Sequence, residues 1–295
     1  MRTSASYPEM LDRGGNLVYV VDMRVFRWVF IGVLMCLPVY LGAAETPRRI
    51  ISLSPAVTSE IHDLGQAHRL VGVTRYCPNP DGTAVVGTLT EINIERVLTL
   101  KPDLIVAGKD CNRRKDAEKL ETLGIEVVVF EGCEDFECMC REFIRLGRLL
   151  GRQQAARDIV ARARVELNAL DARLPRRDLK VFWQVGVSPI VTVSGRTFAG
   201  DIIRRAGGMN IFADVTAKYP RVNLEEVMVR NPEVIIIASG MGGDENPWQG
   251  TKRIKAVRTG RVYRIPADKL CQPTPLKFLQ ACREVAGVLY PELRL

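Results

Sequence analysis

Two α/β lobes, each a mostly parallel sheet flanked by helices and joined by one long connecting helix, are what three features of the sequence predict. A stretch of fourteen residues occurs twice in the 295-residue chain, strand-like and helix-like runs alternate on both sides of a proline-free segment, and that segment carries a helical period. Alternating strands and helices indicate an open parallel sheet covered by helices.

The repeat is the sharpest of the three. Asn93-Ile94-Glu95-Arg96-Val97-Leu98, closed by Pro102-Asp103-Leu104-Ile105-Val106, returns 130 residues later as Asn223-Leu224-Glu225-Glu226-Val227-Met228, closed by Pro232-Glu233-Val234-Ile235-Ile236. Five positions are identical and five are close substitutions, without a gap. One widely separated pair is not a solenoid, which needs several adjacent copies. It implies two lobes on one plan, and such proteins tend to bind ligands between the lobes.

Along the chain, Met23-Arg24-Val25-Phe26-Arg27 precedes an apolar run from Trp28 to Gly42 and the small pair Ala43-Ala44, the layout of a secretory signal peptide cleaved near Ala44. The run is short for a membrane span of about 20 residues. Residues 1–44 are therefore expected to be an N-terminal extension and signal peptide, with the 22 residues before Met23 an overlong start. Cys36 raises a lipid anchor, but Val33-Leu34-Met35 lacks the small residue that precedes a lipidated cysteine. The exported body has about 250 residues, enough for one large or two smaller cores. Its charge is about +7, with basic and acidic residues interleaved and no aromatic-rich basic segment, so nucleic acid is not an expected partner.

The N-terminal lobe is expected over 45–136. Arg49 to Leu53 is a β-rich run, and Ser54-Pro55 places a cap and a first-turn proline before a helix ending near Gly65. Val71 to Val73, Leu104 to Ala107 and Ile125 to Phe130 read as further strands, with a charged helix ending at Gly124. Residues 137–174 contain no proline, with Gly147 and Gly151 as interruptions, and apolar residues recur at helical spacing from Phe143 to Leu167. This predicts a single connecting helix of about ten turns, stopped by Pro175. The C-terminal lobe, 175–295, restarts with strands at Lys180 to Val187 and Ile190 to Val193, then a helix from Phe198 to Ala206. A Gly-rich turn at Met241 to Asp244, a strand near Val262 to Ile265 and a terminal helix from Pro275 to Leu289 complete it.

In both copies of the repeat an Asn stands at a helix N-cap position. Ile94, Val97 and Leu98, like Leu224, Val227 and Met228, fall on one face, with Glu95 and Glu225 about 100° round from it. Each glutamate has two readings: a first-turn acid meeting the helix dipole, or one of two matched acids that dock basic groups of a partner. Glu226 adds a capping-box partner for Asn223.

The segments Ile51-Ser52-Leu53-Ser54-Pro55-Ala56-Val57-Thr58-Ser59-Glu60, Leu70-Val71-Gly72-Val73-Thr74, Asn93 to Val97, Lys101 to Ile105 and Ala206-Gly207-Gly208-Met209-Asn210-Ile211-Phe212 resemble the periplasmic substrate-binding proteins of ABC importers. The resemblance is to the cobalamin, iron-siderophore and haem subset, and extends from about Arg49 to Leu289. It implies a periplasmic receptor without catalysis, limited lobe movement, and delivery of a corrinoid, siderophore or haem to an ABC permease. Aligned on Asn-x-Glu, Glu95 and Glu225 are the implied permease-docking pair. Loops after strands supply the implied ligand site: Ser54, Pro55, Tyr76, Cys77 and Lys109 from one lobe, and Trp183 to Gly186, Tyr219 and Asp268 to Cys271 from the other. Tryptophans that line the cleft in some relatives are replaced here by Leu89 and Gly108.

Seven cysteines remain after cleavage: Cys77, Cys111, Cys133, Cys138, Cys140, Cys271 and Cys282. An exported chain retains disulfides, and an odd count leaves one thiol over. Structural disulfides bracing the cleft loops are expected; the alternative is a cysteine-based metal or redox-handling protein on the same scaffold. Only His62 and His68 are available as imidazole ligands, and no nucleophile elbow, Walker loop or Rossmann fingerprint occurs, so neither a resident metal nor a cofactor is expected.

Overall fold

Strand alternation fixes the architecture. The computed structural model describes residues 46–175, 179–239, 247–248, 250–267 and 274–293. The signal segment, the Met241 to Asp244 turn and the Asp268 to Cys271 loop lie outside the described residues. In the first lobe β1 (Ile50–Ser52), β2 (Leu70–Val73), β3 (Ala84–Val85), β4 (Leu104–Gly108) and β5 (Glu126–Phe130) form a parallel sheet of order β3-β2-β1-β4-β5. In the second, β6 (Leu179–Val187), β7 (Ile190–Thr192), β8 (Gly208–Asn210), β9 (Val234–Ser239) and β10 (Val262–Pro266) run in the order β10-β9-β6-β7, with β8 also paired to β6. Among the pairings of these strands, only β6–β7 is antiparallel.

The helices are α1 (Pro55–Asp63), α2 (Ile94–Thr99), α3 (Arg114–Thr122), α4 (Phe136–Leu149), α5 (Gln153–Arg173), α6 (Phe198–Arg205), α7 (Leu224–Arg230), α8 (Lys255–Arg258) and α9 (Pro275–Leu289). Successive strand residues point to opposite faces, and the buried residues sort accordingly. Ile50 of β1 and Leu104 and Val106 of β4 join a large cluster that also contains Val181 and Trp183 of β6 and Val234 and Ile236 of β9. Ile51, Ile105 and Ala107 face a separate cluster on the outer side of the first sheet, and Phe182, Ile235 and Ile237 one on the outer side of the second. The shared cluster is filled by α4, α5, α6 and α9, through Phe136, Phe143, Leu167, Ile203, Phe278 and Val285 among others. Each such fully buried apolar side chain contributes about 1.5–3 kcal/mol, so both lobes rest on one core.

The connecting segment is not one helix. It is the pair α4 and α5, which break at Leu150-Gly151-Arg152 and pack against each other. Gly151 takes φ +69, the left-handed conformation that terminates helices. Gly147 lets α4 and α5 approach, since a Cβ there would lie 2.5 Å from the Ala156 Cβ. Helix α5 alone covers 21 residues, about 31 Å.

The repeat extends further in the backbone than in the letters. Lys101 and Asn231, each just before a proline, are the two non-glycine residues with positive φ, +47 and +45, among the described residues. Asp103 and Glu233 then occupy the same role. The Asp103 carboxylate accepts from the Arg49 amide (3.0 Å) ahead of β1, and that of Glu233 from the Lys180 amide (3.1 Å) in β6. Both copies therefore anchor a helix and lock the next strand to its neighbour by the same pair of devices.

Gly147→Ala tests the helix pair. Helix propensity alone favours the substitution by up to about 1 kcal/mol, whereas forcing α4 from α5 costs about 1–3 kcal/mol. The net effect is a lower midpoint in urea unfolding; an unchanged or higher midpoint would show that the close approach is not required.

Candidate ligand cleft and paired glutamates

Carboxyl ends of parallel strands leave a crevice where loops converge, and here two such crevices face each other. From the first lobe come Ser54 and Pro55 after β1, Tyr76 after β2, Gly108 to Cys111 after β4, and Glu131 to Cys133 after β5. The second contributes Arg196, Thr197 and Phe198 at the start of α6, Lys218 and Tyr219 in the loop before α7, and Ala267 after β10. Together they enclose a cleft of about 640 Å³, within the range of small-molecule sites. Tyr76 and Tyr219 expose 57% and 51% of their surface on opposite walls. Leu89 and Gly108 also line it. A Cβ on Gly108 would lie 2.8 Å from the Cys111 Sγ and 3.0 Å from the Ser54 Oγ, so the wall is drawn tight at that point.

Of the residues expected at the ligand, Ser54, Pro55, Tyr76, Lys109 and Tyr219 line the cleft. Trp183 does not. It is the fifth residue of β6, and the pleat turns it into the shared core, where it is 1% exposed. Cys77 is likewise buried beneath the wall, its Sγ 3.1 Å from the Thr74 Oγ1. Asp268 lies outside the described residues.

Charges in the cleft are paired across short distances. Lys109 meets Glu131 at 2.9 Å, Lys218 reaches Asp110 at 3.4 Å and Glu134 at 3.5 Å, and Arg196 stands 3.8 Å from Glu134. The contacts of Lys218 and Arg196 cross between lobes, yet all these side chains are more than a third exposed, where ion pairs contribute at most about 1 kcal/mol. They adjust the cleft without holding the lobes together. Beneath it, burial pushes the Glu60 carboxyl well above the ordinary carboxylate value, with the nearby acids Asp63 and Glu142 adding to the shift.

The paired glutamates sit in matching local frames. Asn93 accepts from the Arg96 amide at 2.9 Å, and Asn223 from the Glu226 amide at 2.8 Å, completed by Glu226 as a capping box. Val97 and Val227 are the fully buried anchors of α2 and α7. Leu98, placed on the buried face by its spacing, is instead 42% exposed, because a helix of six residues rests on little more than one side chain. Glu95 and Glu225 are both exposed. The capping role falls to Glu226, leaving Glu225 unused by the fold.

Cysteine usage departs from the expected bracing of the cleft loops. Among the described residues one disulfide is present, Cys133–Cys138, with Cα atoms 5.4 Å apart, and it closes the turn between β5 and α4. Cys77, Cys111, Cys140 and Cys282 are free; Cys271 lies outside the described residues. Burial raises the Cys111 and Cys282 thiols and pushes Cys140 up to about 12. Such thiols are weak nucleophiles at neutral pH, because the thiolate is the reactive form. In protein unfolded without reductant, Cys133 and Cys138 should resist alkylation while Cys77, Cys111, Cys140 and Cys282 are modified. Peptide mapping that finds Cys77 or Cys111 protected would overturn this pairing.

Comparison with known proteins follows the same geometry. The vitamin B12-binding protein of Vibrio parahaemolyticus is 30% identical over 252 residues, covering 82% of this chain and 90% of that protein. That of Yersinia pestis is 31% identical, covering 79% and 90%. The crystal structure of the periplasmic vitamin B12 binding protein of Vibrio cholerae superposes with a TM-score of 0.73 at 29% identity, over 85% of this chain and 99% of the other. A periplasmic heme binding protein from the same organism shares the fold, with a TM-score of 0.74 at 21% identity over 82% and 99%. The periplasmic binding protein family model matches residues 50–269. Two facing, mostly parallel sheets, a cleft at their carboxyl ends and this match place the chain in the periplasmic binding protein family.

Proposed function

We propose that this protein is a periplasmic receptor that captures a corrinoid in the cleft between its lobes and delivers it to an ABC import permease, with no catalytic step. The observation that carries the ligand class is the balance of charge in the cleft. Lys109, Arg196 and Lys218 each lie within ion-pair distance of a carboxylate. A ferric siderophore or a haem brings carboxylates or other anionic oxygens, and would have to displace those partners to gain a cation. A corrinoid presents a broad apolar ring with an uncharged rim of carboxamides, and needs no displacement. Tyr76 and Tyr219 then offer aromatic faces from opposite walls, with Ser54, Pro55 and Lys109 at the rim. The vitamin B12-binding relatives support the same choice.

Docking is assigned to Glu95 and Glu225. Both are exposed acids at the second position of equivalent short helices, one on each lobe, and neither makes an ion pair among the described residues. Rim charges of this kind set orientation and association rate with a complementary surface.

Binding is best read by calorimetry or by the ligand's own absorbance, because Trp183 and Trp248 are buried away from the cleft. Cyanocobalamin and cobinamide are expected to bind at micromolar concentration or tighter, ahead of hemin and ferric siderophores; preference for an anionic iron chelate would overturn the ligand class. Glu95→Lys with Glu225→Lys should abolish uptake by the reconstituted importer while ligand affinity stays unchanged. Undiminished uptake would remove the docking role.

A further inference from the structure

We propose that the Glu60 carboxyl, at the floor of the cleft, recognises a primary carboxamide on the ligand rim and so sets specificity for amide-bearing over carboxylate-bearing corrinoids. The inference rests on the corrinoid reading above and deepens it.

Glu60 is only 5% exposed, yet its side chain lines the cleft together with Ser54, Met139 and Glu142. It makes no hydrogen bond among the described residues. The carboxyl oxygens are not shut off from the cleft and take no protein partner among the described residues, so their hydrogen-bonding capacity is left for whatever fills the cleft. Its surroundings decide the form it takes. On its own helix Asp63 and His62 are the nearest ionisable groups; from α4 come Glu142, bound to Arg145 at 3.0 Å, and the Cys140 thiol. Strands β1 and β4, which pack under α1, carry no ionisable side chain. At the far end of α1, His68 and Arg69 lie on the 3₁₀ turn Ala67–Arg69, where Arg69 is bonded to the Pro47 and Leu150 carbonyls. From α9, Lys277 donates to the Ser59 hydroxyl at 3.0 Å and also acts on Asp63. Among the described residues two acids stand closest to Glu60, and no cation is bonded to it.

An un-ionised carboxyl offers one donor and one acceptor side by side, which is the complement of a primary amide, itself a donor beside an acceptor. A ligand carboxylate could take the donor, but would bring a further negative charge next to Glu142 and Asp63. The same arrangement makes recognition dependent on pH: raising the pH removes the Glu60 proton and with it the donor.

Folding is linked to the same proton. Since the folded-state value lies above the ordinary 4.5, the folded protein keeps a proton that the unfolded chain has released. Stability therefore falls as pH rises from about 4.5 through the raised value, and is level above it. Glu60→Gln keeps a donor and an acceptor but cannot ionise, so it should remove this slope.

The test is calorimetric titration of wild type, Glu60→Gln and Glu60→Met with cobinamide, and with the same ring after hydrolysis of its amides to carboxylates, at pH 6 and pH 9. Wild type should bind the amide form more tightly, and lose about tenfold in affinity once rising pH removes the Glu60 proton, of the order of one hydrogen bond. Glu60→Gln should hold its affinity at both pH values, and Glu60→Met should be about tenfold weaker than wild type at pH 6. Glu60→Met binding as tightly as wild type, or Glu60→Gln retaining the wild-type pH dependence, overturns the proposal while leaving the corrinoid receptor intact. Wild type that binds neither corrinoid but binds hemin or a ferric siderophore overturns both. Thermal unfolding of Glu60→Gln across the same pH range verifies that the variant folds, and reads the lost slope independently of ligand.

Discussion

The apolar layer shared by the two sheets is the constraint on which the rest of the structure depends. Helices α4, α5 and α9 fill the space between lobes, and one face of each sheet is buried against them. Because the other face is covered by its own cluster, the central strands must be apolar on both sides. That is why Leu104 to Ala107 and Val234 to Ala238 read as unbroken apolar runs. With both sheets fixed to one core, the strand ends face each other across the cleft. The exposed ion pairs of Lys218 and Arg196 across the cleft are too weak to set the separation of the lobes.

Much of this was legible in the sequence because it rests on local rules. The Asn-capped repeat, the proline and glycine punctuation, and the terminal helix Pro275–Leu289 all follow from which residues tolerate which backbone angles. What was not legible depends on contacts distant in sequence. Gly147 and Gly151 look like incidental interruptions of a long helical pattern, and only the approach of Ala156 and the positive φ of Gly151 show that the chain turns back there. Position in the chain puts Trp183 and Cys77 near the cleft, but the parity of the pleat and the packing under β1 bury them. Pairing of Cys133 with Cys138, rather than with a cleft cysteine, likewise has no spacing signal. Glu60 gave none either: a single acid between Val57 and Ile61 looks like an ordinary solvated helix position until the opposing α4 is in place.

Function draws on both kinds of information. The fold needs Asn93, Asn223 and Glu226, so those residues explain themselves; Glu95 and Glu225 are matched in position and have no such use. The cleft shows the same division, since Gly108 and Leu89 shape its walls while Tyr76, Tyr219 and Glu60 present chemistry to whatever enters. A receptor of this kind gains affinity from a site formed in advance, because little ordering remains when the ligand binds.

A cleft formed in advance requires the separation of the lobes to stay the same when the ligand binds. Spin labels incorporated at the exposed Thr99 of α2 and Val229 of α7 report the distance between lobes by double electron–electron resonance. With and without saturating cyanocobalamin, the distribution should be narrow and shift by less than about 2 Å, as in pre-organised complexes. A broad distribution in the free protein that narrows and moves by many ångströms on binding would mean that a hinge, not the shared core, sets the cleft.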